Sequence, residues 1–216
     1  MKWDKCLIIG FGDDLPKTPP DITTNTLVIS IDGGYSYTKD WGLTPNLLVG
    51  DLDSIDPEHR QSLVLEEIPI LEYPVEKDQT DLEIAVDYAV SLGITEFILT
   101  GAWGSRIDHS LGNLEILYKL GLRGLNAQLL TGKAQIFLVN QSLTLELPLD
   151  TTVSLLPLTP TVTGVSTEGL YYPLVNAKLT KGQTRTISNL TISSTVKITK
   201  KDGILLAIVE TENPRT

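Results

Sequence analysis

"NLLVGDLDSIDP" (Asn46 to Pro57) sets an apolar run against two carboxylates spaced two residues apart, Asp51 and Asp53. Alternate residues of an extended strand share a face, so a chain that stays extended past Gly50 delivers both side by side. Two such charges about 6 Å apart repel by roughly 3 kcal/mol at an effective dielectric near 20. The strand half of this pattern recurs. "CLIIGFG" (6–12), "LVISIDGG" (27–34), "IPILEYP" (68–74) and "EFILTG" (96–101) are short, rich in Ile, Leu and Val, and end in or near Gly, Asp or Pro. Buried strands read this way.

Helical periods fall between the strands. From Thr80 to Leu92, the residues Leu82, Ala85, Val86 and Ala89 repeat at helical spacing. Thr80 and Glu83 form a T-x-x-E capping box, and Gly93 is placed to close the far end. A second helix is predicted over His109–Leu120, with Leu111, Leu114, Leu117 and Leu120 turned toward a core. Strands alternating with helices imply a Rossmann-like α/β domain, a mostly parallel sheet with helices on its faces, over residues 1–140. From Gln141 the texture changes to Thr, Val, Leu and Ser with period-two stretches, "SLTLELPL" (142–149), "TRTISNLTISSTVKI" (184–198) and "GILLAIVE" (203–210). Residues 141–216 therefore read as an all-β sandwich, with Asp202-Gly203 of "TKKDG" suited to a tight hairpin.

Bulk properties narrow the function. The chain has 216 residues, 41% of them hydrophobic, and its longest apolar runs are far short of a membrane span. "MKWDK" opens without a stretch of signal-peptide type, and the single cysteine, Cys6, sits in an apolar run, which fits inert packing in a reducing cytoplasm. A formal net charge of −10 argues against nucleic acid and anionic membranes as partners. It leaves room for a nucleotide whose phosphates are held through a divalent cation on local carboxylates.

Four stretches carry the candidate chemistry. On its own, the Asp51/Asp53 pair reads equally well as turn chemistry. "EKDQTDLE" (76–83) puts Asp78 before a helix and Asp81 in its first turn, where acidic residues also favour the macrodipole. Lys77 beside them reads as a solvated charge or as a phosphate contact. "GAWGSRIDH" (101–109) is a glycine-rich turn between a strand and a helix, the setting in which backbone approaches phosphate. Arg106 there is placed for a phosphate contact, Asp108 for a helix cap. "SIDGGYS" (30–36) ends a strand at Asp32. Collectively these acids fall at strand ends or helix starts, where an open α/β sheet binds ligands. Such an oxygen-rich set suits magnesium with phosphates, and the metal offsets the repulsion at Asp51 and Asp53.

In this order, "DGG" (32–34), "GDLDS" (50–54), "DQTDLE" (78–83) and "GAWGSRIDH" followed by "HSLGNL" (109–114) resemble the motifs of the thiamine pyrophosphokinase (thiamine diphosphokinase) family. "TEGLYYPL" (167–174) and "SN" (188–189) are weaker likenesses to it, and Tyr35, Trp103 and Leu190 depart from its pattern. The resemblance implies pyrophosphoryl transfer from ATP to the hydroxyl of thiamine. It implies a homodimer with sites at the subunit interface. Asp51, Asp53 and Asp81 would be the catalytic carboxylates and magnesium ligands. Asp32, Lys77, Asp78, Thr80, Arg106 and Asp108 would serve the nucleotide side, and Tyr172, Ser188 and Asn189 the thiamine side. The rival readings are the same transfer to another primary alcohol of pterin type, a magnesium-dependent nucleotide phosphohydrolase, and a non-catalytic nucleotide sensor.

Overall fold

The computed structural model describes residues 3–50, 67–72 and 78–211. The chain divides into two compact units. Residues up to Ile116 join Leu129–Gly132 in the first, and Leu117–Gln128 join residues from Lys133 onward in the second.

In the first unit, β1 (Lys5–Ile9), β2 (Thr26–Ile31), β3 (Leu47–Gly50), β4 (Ile70–Glu72) and β5 (Glu96–Thr100) form a sheet in the order β5-β1-β2-β3-β4. All four pairings are parallel. The side chains of β1, β2, β3 and β5 are buried almost end to end, as expected of strands covered on both faces. Cys6 is wholly buried in β1, and burial pushes its thiol pKa well up. The helices are α1 (Gly34–Asp40), α2 (Asp81–Ser91) and α3 (Ile107–Leu122), of which α3 belongs to the first unit only as far as Ile116.

Helix α2 forms as its sequence dictates. Thr80 is the N-cap, its Oγ1 accepting the Glu83 N–H at 3.3 Å. At the other end Gly93 turns to φ +82°, its N–H donating to the Val90 carbonyl and that of Ile94 to the Ala89 carbonyl. This pair of bonds is a Schellman closure, which needs the left-handed backbone that glycine adopts without strain. Leu82, Ala85, Val86 and Ala89 are buried as their spacing requires.

Helix α3 corrects an expectation. Leu117 and Leu120 are fully buried, but Leu111 is 56% exposed. Steps of three residues turn 300°, so Leu111 and Leu120 end on opposite sides of the helix. The buried stripe is instead Ser110, Asn113, Ile116, Leu117 and Leu120. Helix α1 follows β2, starting at Gly34. Its buried contacts are Tyr35, which packs with Leu48 and Ile68, and Thr38, whose hydroxyl lies 2.6 Å from that of Ser30. Tyr35 thus departs from the family pattern as a core residue.

After β6 (Asn126–Leu130), the second unit builds two antiparallel sheets. One runs β7 (Ala134–Val139), β14 (Leu205–Glu210), β9 (Thr152–Pro157), β12 (Asn189–Leu190). The other runs β8 (Ser142–Glu146), β13 (Thr195–Thr199), β10 (Thr161–Glu168), β11 (Ala177–Thr180). Val139, Val153, Leu155, Leu205, Ala207 and Val209 from the first close a core with Val162, Val165, Leu179, Val196 and Ile198 from the second. This is a β-sandwich. The hairpin at Asp202-Gly203 does not form. Gly203 has the positive φ of a turn, +88°, yet β13 pairs with β8 and β10 while β14 pairs with β7 and β9. Turn chemistry sets local dihedrals, whereas strand pairing is decided by which edges remain open, and both edges of β14 are taken. Among the described residues no helix is long and apolar enough to cross a membrane.

Candidate active site

The chain steps from β1 through β2 and β3 to β4 in one direction, then returns to place β5 on the other side of β1. Strand order reverses between β1 and β5, and open α/β sheets bind ligands outside the carboxyl ends at such a point. Here each strand is followed at once by glycine, Gly10 and Gly101. Gly10 N–H donates to the Thr100 carbonyl at 2.8 Å and Gly12 N–H to that of Gly101 at 2.7 Å, with Gly101 at φ +59°. A Cβ on Gly10 or Gly101 would strike the other's backbone. The two loops are therefore bound backbone to backbone.

Side chains fix the loop after β5. Asp13 Oδ1 accepts the Ser105 N–H at 2.7 Å, and that backbone donor holds the carboxyl pKa below its ordinary value. Asp14 N–H donates to the Trp103 carbonyl at 3.3 Å, while its Oδ1 accepts from Gly132 N–H at 2.9 Å. From α3, Asn113 Nδ2 donates to the Ala102 carbonyl at 2.6 Å, and Ser110 Oγ accepts the Gly104 N–H at 3.1 Å. The glycine loop is thus clamped from two sides. Asp13, Asp14, Ser110 and Asn113 were absent from the predicted site. Asn113 had a signal, its place in "HSLGNL", but the acids of "GFGDD" had none, because their partners lie far along the chain.

Arg106 and Asp108 form an exposed ion pair, Nη2 to Oδ2 2.8 Å, and the Arg106 hydrogen bond lowers the Asp108 pKa. An exposed pair of this kind contributes little to stability. Asp108 is not the cap: Ser110 N–H already bonds the Arg106 carbonyl, so α3 starts beyond Arg106 and Asp108 lies in its first turn.

Asp32 follows β2 at φ +44°, its N–H donating to the Val49 carbonyl at 3.1 Å. Its carboxylate occupies the space a Cβ on Gly50 would fill, and Gly50 sits at φ +139°. Asp32 is thereby packed on the glycine that immediately precedes Asp51. Asp78 and Thr80 are exposed beside the start of α2, and Asp81 is in its first turn. Asp78 and Thr80 thus follow β4 in the chain and lead into α2. Asp51, Asp53 and Lys77 lie outside the described residues. Among the described residues no cluster of three His, Cys, Asp or Glu could hold a metal ion.

In the second unit, Tyr172 and Asn189 are brought together. Asn189 Oδ1 accepts the Tyr172 N–H at 3.0 Å and its Nδ2 donates to the Tyr172 carbonyl at 2.8 Å. Both line a pocket of about 270 Å³ walled by Val153, Leu155, Leu170 and Leu174, with Arg185 also lining it. Ser188, at φ +58° with its N–H on Ser154 Oγ, sits next in the chain but does not line the pocket. Leu190 pairs with Thr152 in the β12–β9 ladder, and its carbonyl accepts from Tyr171.

Comparison with known proteins covers both units. Residues 21–129 match the family model "Thiamin pyrophosphokinase, catalytic domain", and residues 140–205 match "Thiamin pyrophosphokinase, vitamin B1 binding domain". The chain is similar to the thiamine pyrophosphokinase of Bacillus subtilis, 31% identical over 200 residues, covering 89% of this chain and 93% of that one. The solved structure of the Bacillus subtilis enzyme superposes with a TM-score of 0.87 at 28% identity, covering 96% of this chain and 99% of that one. That of Geobacillus thermodenitrificans gives 0.83 at 28% identity, covering 98% and 100%. With both of its units matched and a relative aligned along most of its length, this chain belongs to the thiamine pyrophosphokinase family.

Proposed function

We propose that the chain transfers the pyrophosphoryl group of ATP to the hydroxyethyl oxygen of thiamine, giving thiamine diphosphate and AMP. The carrying observation is the glycine loop Gly101–Arg106, clamped at the point where strand order reverses and leaving Arg106 exposed. Residues 1–140 would form the nucleotide-binding catalytic domain and residues 141–216 the thiamine-binding one. The Arg106 guanidinium holds phosphate oxygens, with Lys77 and Thr80 on the same side, while the N–H groups of Gly10, Gly12, Gly104 and Ser105 shape the loops by bonds within the protein. Asp32, Asp78 and Asp108 order this edge. An all-oxygen donor set fits magnesium, and Asp51, Asp53 and Asp81 would hold it. Held there, magnesium would supply neutralisation of phosphate charge for in-line transfer. Asp81 or Asp51 accepts the hydroxyl proton. Thiamine's rings suit the apolar pocket bounded by Tyr172 and Asn189, with Ser188 beside it.

The test is a product assay with ATP and magnesium, with and without thiamine. AMP forming in step with thiamine diphosphate, and only with thiamine present, is the expected result. ADP or phosphate released regardless of thiamine would overturn the reading.

The homodimer belongs to this proposal, and α3 supports it. Ile107 (72% exposed), Leu111 and Leu122 (64%) lie within about 60° of one another around the helix, an apolar stripe open to water. A solution mass of twice the chain is expected by light scattering, falling to one chain in Leu111→Glu. A monomeric wild type would sink the dimer. The acidic chain and its buried thiol fit a cytoplasmic enzyme.

A further inference from the structure

We propose that the Phe11 ring is the platform on which the purine base of the donor nucleotide stacks. This rests on the reading of the β1–β5 crevice as the nucleotide site. A lone exposed apolar residue is ordinary on any protein surface, so the 54% exposure of Phe11 carries nothing by itself. Its setting carries more. Phe11 stands between Gly10 and Gly12, the residues whose backbones bind the loop after β5. The ring lies directly on Gly33, where a Cβ would come within 2.7 Å of Cγ, Cδ1 and Cε1. Tyr37 packs beside it, ring centroids 5.5 Å apart and planes inclined by 39°.

The ring is therefore braced by Gly33 and Tyr37, while much of its surface remains open to water at the carboxyl edge. Its two chain neighbours have no side chains to cover it. An aromatic side chain held this way recognises a flat, π-bearing partner, and stacking tolerates any base because every base has a π-face. Phe11 also precedes the matched catalytic region, which begins at residue 21, so the family match assigns it no role.

The experiment compares wild type, Phe11→Ala, Phe11→Leu and Phe11→Trp by KM for ATP and by calorimetric binding of AMP and of inorganic tripolyphosphate. Stacking predicts that Ala and Leu weaken AMP and raise KM for ATP about tenfold, the loss being carried by KM rather than kcat, with Trp restoring both. Tripolyphosphate, which has no base, should bind all four alike. AMP binding unchanged in Phe11→Ala overturns the proposal. Equal weakening of AMP and tripolyphosphate also overturns it, since that reports a distorted phosphate loop. A wild type that binds no AMP overturns it as well. Because binding is read without turnover, a wild type that binds AMP but makes no thiamine diphosphate would defeat the functional reading while leaving the stacking result standing.

Discussion

Replacing Asp53 with Asn is expected to lower kcat by about a thousandfold or more, with the melting temperature unchanged. The proposed role of Asp53 is to hold magnesium against the phosphates, and Asn keeps the shape of the side chain while removing its charge. Metal stabilisation of charge in the transition state is worth several kcal/mol, and about 4 kcal/mol corresponds to roughly three powers of ten in rate. Asp51 and Asp53 would repel each other without a cation if the chain stays extended past Gly50, so loss of one charge should leave folding untouched or slightly eased. Near-normal turnover in Asp53→Asn would remove the metal assignment. A collapsed melting transition would instead show that the residue is structural.

The second large effect is at Gly50. Gly50→Ala should destabilise the protein by about 3 kcal/mol, because a φ of +139° strains an L-residue by roughly 1–3 kcal/mol and the new methyl collides with Asp32. Turnover should fall with it, since the collision pushes the Asp32 carboxylate away from the strand end that leads into Asp51. Combining the change with Asp32→Gly separates the two causes. The double variant should regain the steric part of the stability, measured by denaturant unfolding, and keep the part due to φ. Wild-type stability in Gly50→Ala alone would mean that Asp32 does not pack on this glycine.

Other residues show what a sequence discloses and what it withholds. Helix α2 was legible because each of its signals acts within four residues: Thr80 on Glu83, Gly93 on Val90, and the apolar stripe on itself. The β-strands were legible because burial on both faces leaves continuous Ile, Leu and Val. Leu111 was misread because spacing of three resembles a helical period while rotating steadily around the axis. Asp202-Gly203 was misread because a dipeptide specifies its own dihedrals and says nothing of distant edges. The site divides in the same way. Asp32, Asp81 and Arg106 stood out as charges at strand ends and helix starts. Asp13 and Asp14 did not, because each acts on a backbone N–H far along the chain, at Ser105 and Gly132. Nothing local to "GFGDD" distinguishes a clamp from a solvated turn.

The sealing of Cys6 inside β1 has a practical side. A thiolate, not a thiol, is what alkylating agents, peroxides and disulfides attack, and the single sulfhydryl of this chain is both inaccessible and held protonated by its surroundings. The protein consequently offers a silent background for chemical labelling. A cysteine introduced at an exposed position such as Val175, 85% open to solvent in the β-sandwich unit, would be the sole reactive thiol in the molecule. A fluorophore or spin probe could then be carried there without first removing a native thiol.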